Sequence, residues 1–273
     1  MCGYCQSGDK MHIARAKLHY WEEPPISGTR GSGTIFFTGC SLRCAFCQNS
    51  EISGESLHGK DFTVEEFIET IKKLEAMGAH NINLVTPTHF ASQIAEALRI
   101  YKPRVPVVYN CGGYESVDTL RLLEGKADVY LPDLKYADGA LASRLSAAPD
   151  YVHVATAAIR VMYRQTGDYV LEDGLLRRGV IIRHLVLPGQ LENTRRVIDW
   201  VSENFRPGQV LFSLMSQYTP QPGAEGLLAR HVTRGEYRAA VDYMHNCGIT
   251  DGFTQERTAA REEYTPPFDL TGV

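Results

Sequence analysis

Short apolar runs alternate along the chain with stretches in which apolar residues recur every three or four positions. TIFFTG (34–39), NINLVT (81–86), VPVVYN (105–110), ADVYLPD (127–133), VIIRHLVLPG (180–189) and QVLFSLM (209–215) predict buried strands. Between the first two, Val64, Phe67, Ile68, Ile71 and Leu74 form a helical stripe that opens at a Thr63/Glu66 capping box and stops at Gly78. Ala91, Ile94, Ala95 and Leu98 predict a second helix, and 117–123 and 194–205 two more. The last helix repeats the box with Thr233 and Glu236 and buries Tyr237, Ala240, Val241 and Met244 before Gly248.

At least six strand and helix pairs follow from this pattern. Strands alternating with helices favour parallel pairing through right-handed crossovers, so the expected class is α/β, either a doubly wound sheet or a full or partial barrel. Both architectures place chemistry at the carboxyl ends of strands. Polar groups do collect just after the apolar runs: three cysteines after the first, then Thr86-Pro87-Thr88-His89, Asn110, Asp133-Leu134-Lys135 and Ser216-Gln217.

A chain of 273 residues, 44% of them hydrophobic, suits one enzyme-sized globular domain. Lys and Arg number 28 against 32 Asp and Glu, a formal charge of −4, and no basic run is present to track a phosphate backbone, so nucleic acid is not an expected partner. No stretch approaches the apolar length of a membrane span, and MCGYCQSGDK lacks the apolar region of a secretory signal. A cytoplasmic protein is expected, in which thiols stay reduced and clustered cysteines point to metal or redox chemistry. The odd count of seven cysteines agrees.

Cys40, Cys44 and Cys47 lie within TGCSLRCAFCQNS (38–50). Thiolates are soft ligands, and one tight loop can bring three of them around a zinc, copper(I) or iron–sulfur centre. A structural zinc site needs four filled positions, and no fourth cysteine is near, although His58, or Cys2 and Cys5, could complete a zinc or redox module. In a four-iron cluster, three cysteines leave one iron free for a substrate or cofactor, which fits this count better.

The spacing Cys40-x-x-x-Cys44-x-Phe46-Cys47 resembles the signature of radical S-adenosylmethionine (SAM) enzymes. The surrounding ARAKLHYWEEPPISGTRGSGTIFFTGCSLRCAFCQNSEIS, NLVTPTHF, YNCGGYES, LPDLKY and SLMSQYTP resemble uncharacterised homologues of the pyruvate formate-lyase activating enzyme, over nearly the whole chain. The resemblance implies a partial (β/α)6 TIM-like barrel with the cluster loop after the first strand. It implies one four-iron four-sulfur cluster and SAM as cofactors. A reduced cluster would cleave SAM to methionine and a 5′-deoxyadenosyl radical that abstracts hydrogen from a substrate. The electron donor implied is reduced flavodoxin or ferredoxin. The substrate implied is a glycine in a partner protein, a glycyl radical enzyme, with a peptide or small metabolite fitting the same opening. A monomer is expected.

Carried over by position, the resemblance makes Cys40, Cys44 and Cys47 the cluster ligands, sets Phe46 near the adenine, and puts Gln48 and Asn49 beside the loop. Where the family carries Gly-Gly-Glu to receive the cofactor's ammonium, this chain has Thr86-Pro87-Thr88-His89 and no carboxylate. The hydroxyls of Thr86 and Thr88 and nearby carbonyls could accept those bonds more weakly, while a simple turn at Pro87 explains the same text. Asp133 and Lys135 match an Asp-x-Lys near the cofactor's carboxylate and ribose, or else form a structural strand-end pair. Asn110 and Cys111 match a more acidic stretch, Arg183 a fifth-strand arginine that could meet the carboxylate through its planar fork, and Gln217 a histidine.

The remainder is read more plainly. Residues 1–30 are expected to form an N-terminal strap, with LHYWEEPPISG (18–28) laid over the barrel and REEYTPPFDLTGV covering it from the other end. Residues 31–273 would be the barrel domain. Cys111 is expected in a pocket wall or the core, and Cys247 in a packing role or inertly exposed. Gly112-Gly113 and Gly31-Ser32-Gly33 read as turns rather than phosphate loops.

Overall fold

The computed structural model describes residues 10–54, 58–254 and 266–273. In chain order the elements are β1 (Met11–His19), α1 (Pro24–Ser27), β2 (Ser32–Phe37), α2 (Ser50–Ser53), β3 (Lys60–Phe62), α3 (Val64–Ala76) and β4 (Ile82–Val85). Next come α4 (Ala91–Ile100), β5 (Val107–Cys111), α5 (Val117–Leu122), β6 (Val129–Pro132), α6 (Gly139–Ser146) and α7 (Tyr151–Thr166). The chain continues through β7 (Val170–Glu172), β8 (Leu175–Leu185), α8 (Leu191–Asn204), β9 (Leu211–Met215), α9 (Arg234–Asn246) and β10 (Gly252–Thr254).

The sheet runs β10-β9-β8-β6-β5-β4-β2-β1-β3, with β7 folded back on β8. From β2 to β10 every neighbour in that order pairs in parallel, whereas β1 and β3 join antiparallel. The result is an open α/β sheet of the partial TIM-like kind, with six main parallel strands and the short β10 as a seventh. Strands β2, β4, β5, β6 and β9 are buried along their whole length, because helices cover one face and inward-pointing side chains fill the other. That two-sided burial is why each reads as an unbroken apolar run.

Both expected capping boxes are formed: Thr63 accepts from the Glu66 amide while Glu66 accepts from the Thr63 amide, and Thr233 and Glu236 repeat the exchange. Helices α6 and α7 and strands β1, β7 and β10 add to the expected elements. The segment expected as a strap includes, within the described residues, the sheet strand β1, which lies between β2 and the short edge strand β3. Cys2 and Cys5 lie outside the described residues. The tail packs against this edge: Ala16 N–H donates to Thr271 O at 3.1 Å, Arg15 pairs with Asp269 at 2.7 Å, and Phe268 meets Phe36 edge to face at 5.5 Å. Among the described residues, no helix is long and apolar enough to cross a membrane.

Candidate functional site

A cleft of about 1220 Å³, counting the space at its open mouth, lies at the carboxyl ends of the parallel strands. Its walls take Phe36 from β2, Val85 from β4, Cys111 from β5, Leu185 from β8 and Met215 from β9, and all three loop cysteines. The loop is anchored by main-chain bonds. Gly39 N–H donates to Ile52 O at 2.8 Å, Ala45 N–H to Leu145 O at 2.8 Å and Arg43 N–H to Ser146 O at 3.3 Å, so the loop is tied to α2 and to the end of α6.

Each sulfur has a polar neighbour. Leu42 N–H lies 3.4 Å from Cys40 Sγ, Ser146 Oγ donates to Cys44 Sγ at 2.9 Å, and Cys47 Sγ is 3.2 Å from Ser53 Oγ. Burial pushes the Cys40 thiol up to about 12 and raises Cys44 as well, against the pull of Lys135. Thiols set this close ionise together only with strong positive charge among them, which bound metal supplies. Among the described residues, no three His, Cys, Asp or Glu side chains converge as the ligands of a single ion do. A four-iron cluster needs no such convergence, since each cysteine takes a different iron. The donor set therefore fits the cluster better than a zinc ion, and His58 is exposed and not part of the cleft lining.

A buried polar network lines the same cleft. Arg183 Nε donates to Asp133 Oδ1 at 2.9 Å, one terminal nitrogen donates to Asn110 Oδ1 at 2.6 Å, and the other reaches Glu22 Oε2 at 3.4 Å. Lys135 Nζ donates to Asp133 Oδ2 at 2.5 Å. Glu22 Oε1 also accepts from Asn83 at 3.0 Å and from Asn110 at 3.3 Å. Burial works to raise the Asp133 carboxyl, but Arg183 and Lys135 outweigh it and hold it below its usual value. Burial dominates for Glu22 and leaves it raised despite Arg183. Lys135 is desolvated too, yet Asp133 and the Cys44 sulfur keep it charged.

The structure thus brings together Cys40, Cys44, Cys47, Phe46, Asn49, Thr86, Asn110, Asp133, Lys135, Arg183 and Gln217 on one cleft. Phe46 is buried, edge-on to Tyr136 at 6.4 Å. Gln48 bridges the loop to β9's end by donating to Gln217 O at 3.0 Å. Thr86 sits at φ 57°, a left-handed conformation costly for a β-branched residue, and its N–H donates to Asn110 O at 2.9 Å. Thr88 and His89 do not join the cleft lining. They start the turn into α4, where Thr88 Oγ1 donates to the buried Glu115 at 2.6 Å and His89 Nε2 lies 2.6 Å from Thr38 O.

Gly113 takes φ 78°, and a Cβ there would collide with the Asp133 carbonyl oxygen, so this glycine serves a turn packed on β6. Cys111 is both buried and part of the cleft wall. Cys247 caps α9 near Asp199, at 3.8 Å.

Glu22 and Glu23 are the site residues that sequence reasoning missed. The signal was two adjacent acids in the aromatic, proline-stiffened stretch YWEEPP, read as a cover rather than a site wall.

The Radical SAM superfamily model matches residues 34–201. An uncharacterised protein of Methanocaldococcus jannaschii, MJ0674, is 30% identical over 253 residues, covering 88% of this chain and 68% of its own. Among solved structures, Streptococcus suis SuiB bound to its precursor peptide SuiA superposes with TM-score 0.54 at 15% identity, over 81% of this chain. The chain spans about half of SuiB, 47%. A spore photoproduct lyase C140A mutant superposes with TM-score 0.55 at 12% identity, over 88% of this chain and 79% of its own. With the cysteine loop set at the mouth of an open parallel sheet, these matches establish that the chain belongs to the radical SAM superfamily, enzymes that use a four-iron four-sulfur cluster and S-adenosylmethionine.

Proposed function

We propose that Cys40, Cys44 and Cys47 hold the cluster and that the cleft behind them seats SAM. The observation that carries this reading is that the three thiols and the Asp133–Lys135–Arg183 network line the same cleft. When bound, the reduced cluster and SAM supply a 5′-deoxyadenosyl radical that takes hydrogen from a substrate carbon.

The chain's own residues bind, orient and shield. Lys135 gives one of its three ammonium donors to Asp133, which leaves two for the cofactor's carboxylate, and its charge offsets that of the Cys44 sulfur. Asp133 fixes both Lys135 and the Arg183 guanidinium, so neither cation must be ordered when an anion arrives. Phe46 walls the adenine. Asn49, Thr86, Asn110 and Gln217 supply neutral hydrogen bonds, with Glu22 providing a carboxylate beside Asn110. Phe36, Leu42, Val85, Leu185 and Met215 add apolar surface to the wall, which excludes water and strengthens the charged contacts beside it.

The substrate class in this reading is a peptide or protein segment, and its activase-like form takes hydrogen from a glycine in a partner protein's loop, with flavodoxin or ferredoxin as electron donor. Support comes from the open mouth of the cleft, where Trp21 is 53% exposed, and from SuiB, solved with its precursor peptide on a similar fold.

Anaerobic reconstitution followed by dithionite and SAM tests the chemistry. The expected products are 5′-deoxyadenosine and methionine, lost together with the cluster's visible absorption in C44A. A fully loaded protein that leaves SAM intact overturns the reading.

A further inference from the structure

Beside the main cleft lie two deeply buried polar atoms, Glu23 Oε2 and Ser213 Oγ, whose side chains neighbour each other without closing a regular hydrogen bond to any described group. Glu23 is 7% exposed and Ser213 1%. Both line a second pocket of about 800 Å³, part of it open to solvent, that shares Trp21, Glu22 and Arg183 with the cleft and is also lined by Gly252, Phe253 and Thr254 of β10. Buried polar groups are almost always paired, so two orphans facing one pocket call for a ligand.

The charges say which kind. Glu22, Glu23 and Asp133 stand against Arg183 and Lys135, three carboxylates to two cations. Asp133 takes the short bonds from both cations, and Glu22 takes the long one from Arg183. Glu23 has no ion-pair contact within the described residues; burial raises its carboxyl against the pull of Arg183, which stands beyond ion-pair distance. One free carboxylate oxygen and one hydroxyl suit a compact donor with several N–H bonds, whereas a guanidinium would call for both oxygens of a carboxylate. A bare metal ion would need more oxygen ligands than converge here. Trp21 and Phe253 add aromatic surface of the kind that attracts a cation.

We infer that Glu23 and Ser213 form a substrate subsite that binds an alkylammonium group against Trp21 and Phe253, next to the cofactor cleft. This rests on the proposal above that the main cleft seats SAM. A lysine side chain of a peptide and a free amine are two sources of this one chemistry.

The test uses reconstituted protein with saturating SAM and no reductant, and reads ligand binding by equilibrium dialysis. The probes are N-acetyl-lysine N-methylamide, its norleucine counterpart without the amine, and n-pentylammonium chloride. The lysine probe should bind about tenfold more tightly than the norleucine probe, as expected of a charge-assisted bond in a buried site, and E23Q should erase the difference. S213A should weaken the lysine probe by a smaller factor. Tighter binding of the capped lysine than of pentylammonium assigns the site to a peptide side chain, and the reverse order to a free amine; both uphold the subsite. Equal affinity of the lysine and norleucine probes for the unmutated protein overturns it. So does displacement of the lysine probe by SAM, which would give Glu23 to the cofactor. Because no turnover is measured, a protein that discriminates the probes but makes no 5′-deoxyadenosine defeats the proposed reaction and leaves the subsite standing.

Discussion

Arg183 and Asp133 meet twice. Their backbones form a parallel bridge beyond the regular pairing of β6 and β8, continued by Leu134 N–H donating to Arg183 O at 2.8 Å, and their side chains close the same gap at 2.9 Å. The Asp133–Arg183 centre of the polar wall is thus part of the sheet, not a pair of side chains hung on a loop.

Replacing Arg183 by methionine therefore strands Asp133 and Glu22 with less positive charge. Removing one partner from a buried ionic group costs about 3–5 kcal/mol, so R183M should lower unfolding stability by that order and weaken SAM binding. R183K should recover part of the stability and little of the binding, because an ammonium cannot span Asp133, Asn110 and Glu22 together. Urea titration of apoprotein and calorimetric SAM titration of the reconstituted protein separate the two effects.

Glu115 gives a pH signature. Burial raises its carboxyl to about 7 from an ordinary 4.5, against hydrogen bonds from Thr88, Tyr109 and Cys111. The folded state then holds a proton that the unfolded state has released, so stability falls as pH rises from about 4.5 to 7 and levels off above that. The loss is on the order of 3 kcal/mol. E115Q should flatten this slope, checked by denaturant titrations at pH 5 and pH 8; an unchanged slope would place the titration elsewhere.

Ser146 Oγ donates to Cys44 Sγ and also sits 2.6 Å from Tyr136 Oη. A hydrogen bond to a ligand sulfur withdraws electron density and favours the reduced cluster. With Cys44 as a cluster ligand, S146A should shift the reduction potential to more negative values, as read in an EPR-monitored redox titration.

Thr86 holds its left-handed backbone at the rim of the cleft. Glycine removes that strain at some cost in chain entropy, so T86G should raise stability by about 1 kcal/mol. Loss of the hydroxyl should weaken SAM binding at the same time, a trade visible by comparing thermal unfolding with SAM titration.

Much of this site was legible because the parallel strands are buried on both faces. Their apolar runs end where the polar residues begin, and that boundary exposed the cysteine loop, Asn110, Asp133 and Lys135. Arg183 stood out as a charge inside an apolar run. Thr88 and His89 carry the same signal, yet the turn into α4 points them to Glu115 and Thr38 instead of the cleft, a choice set by three-dimensional packing. Glu22 was illegible for another reason: it comes from a segment before the first parallel strand and reaches across to side chains of β4, β5 and β8. Strand β10 is three residues long, too short for any period to show.

The loop that carries Cys40, Cys44 and Cys47 is moored to α2 and α6 through its own amides, independently of its sulfurs. A zinc finger is a drawstring that metal must pull shut, whereas this loop is a socket already shaped by the surrounding scaffold. On the proposal that this loop holds the cluster, insertion would proceed into a folded chain, and damage to the cluster by oxygen would leave behind a receptacle fit for refilling rather than an unravelled protein.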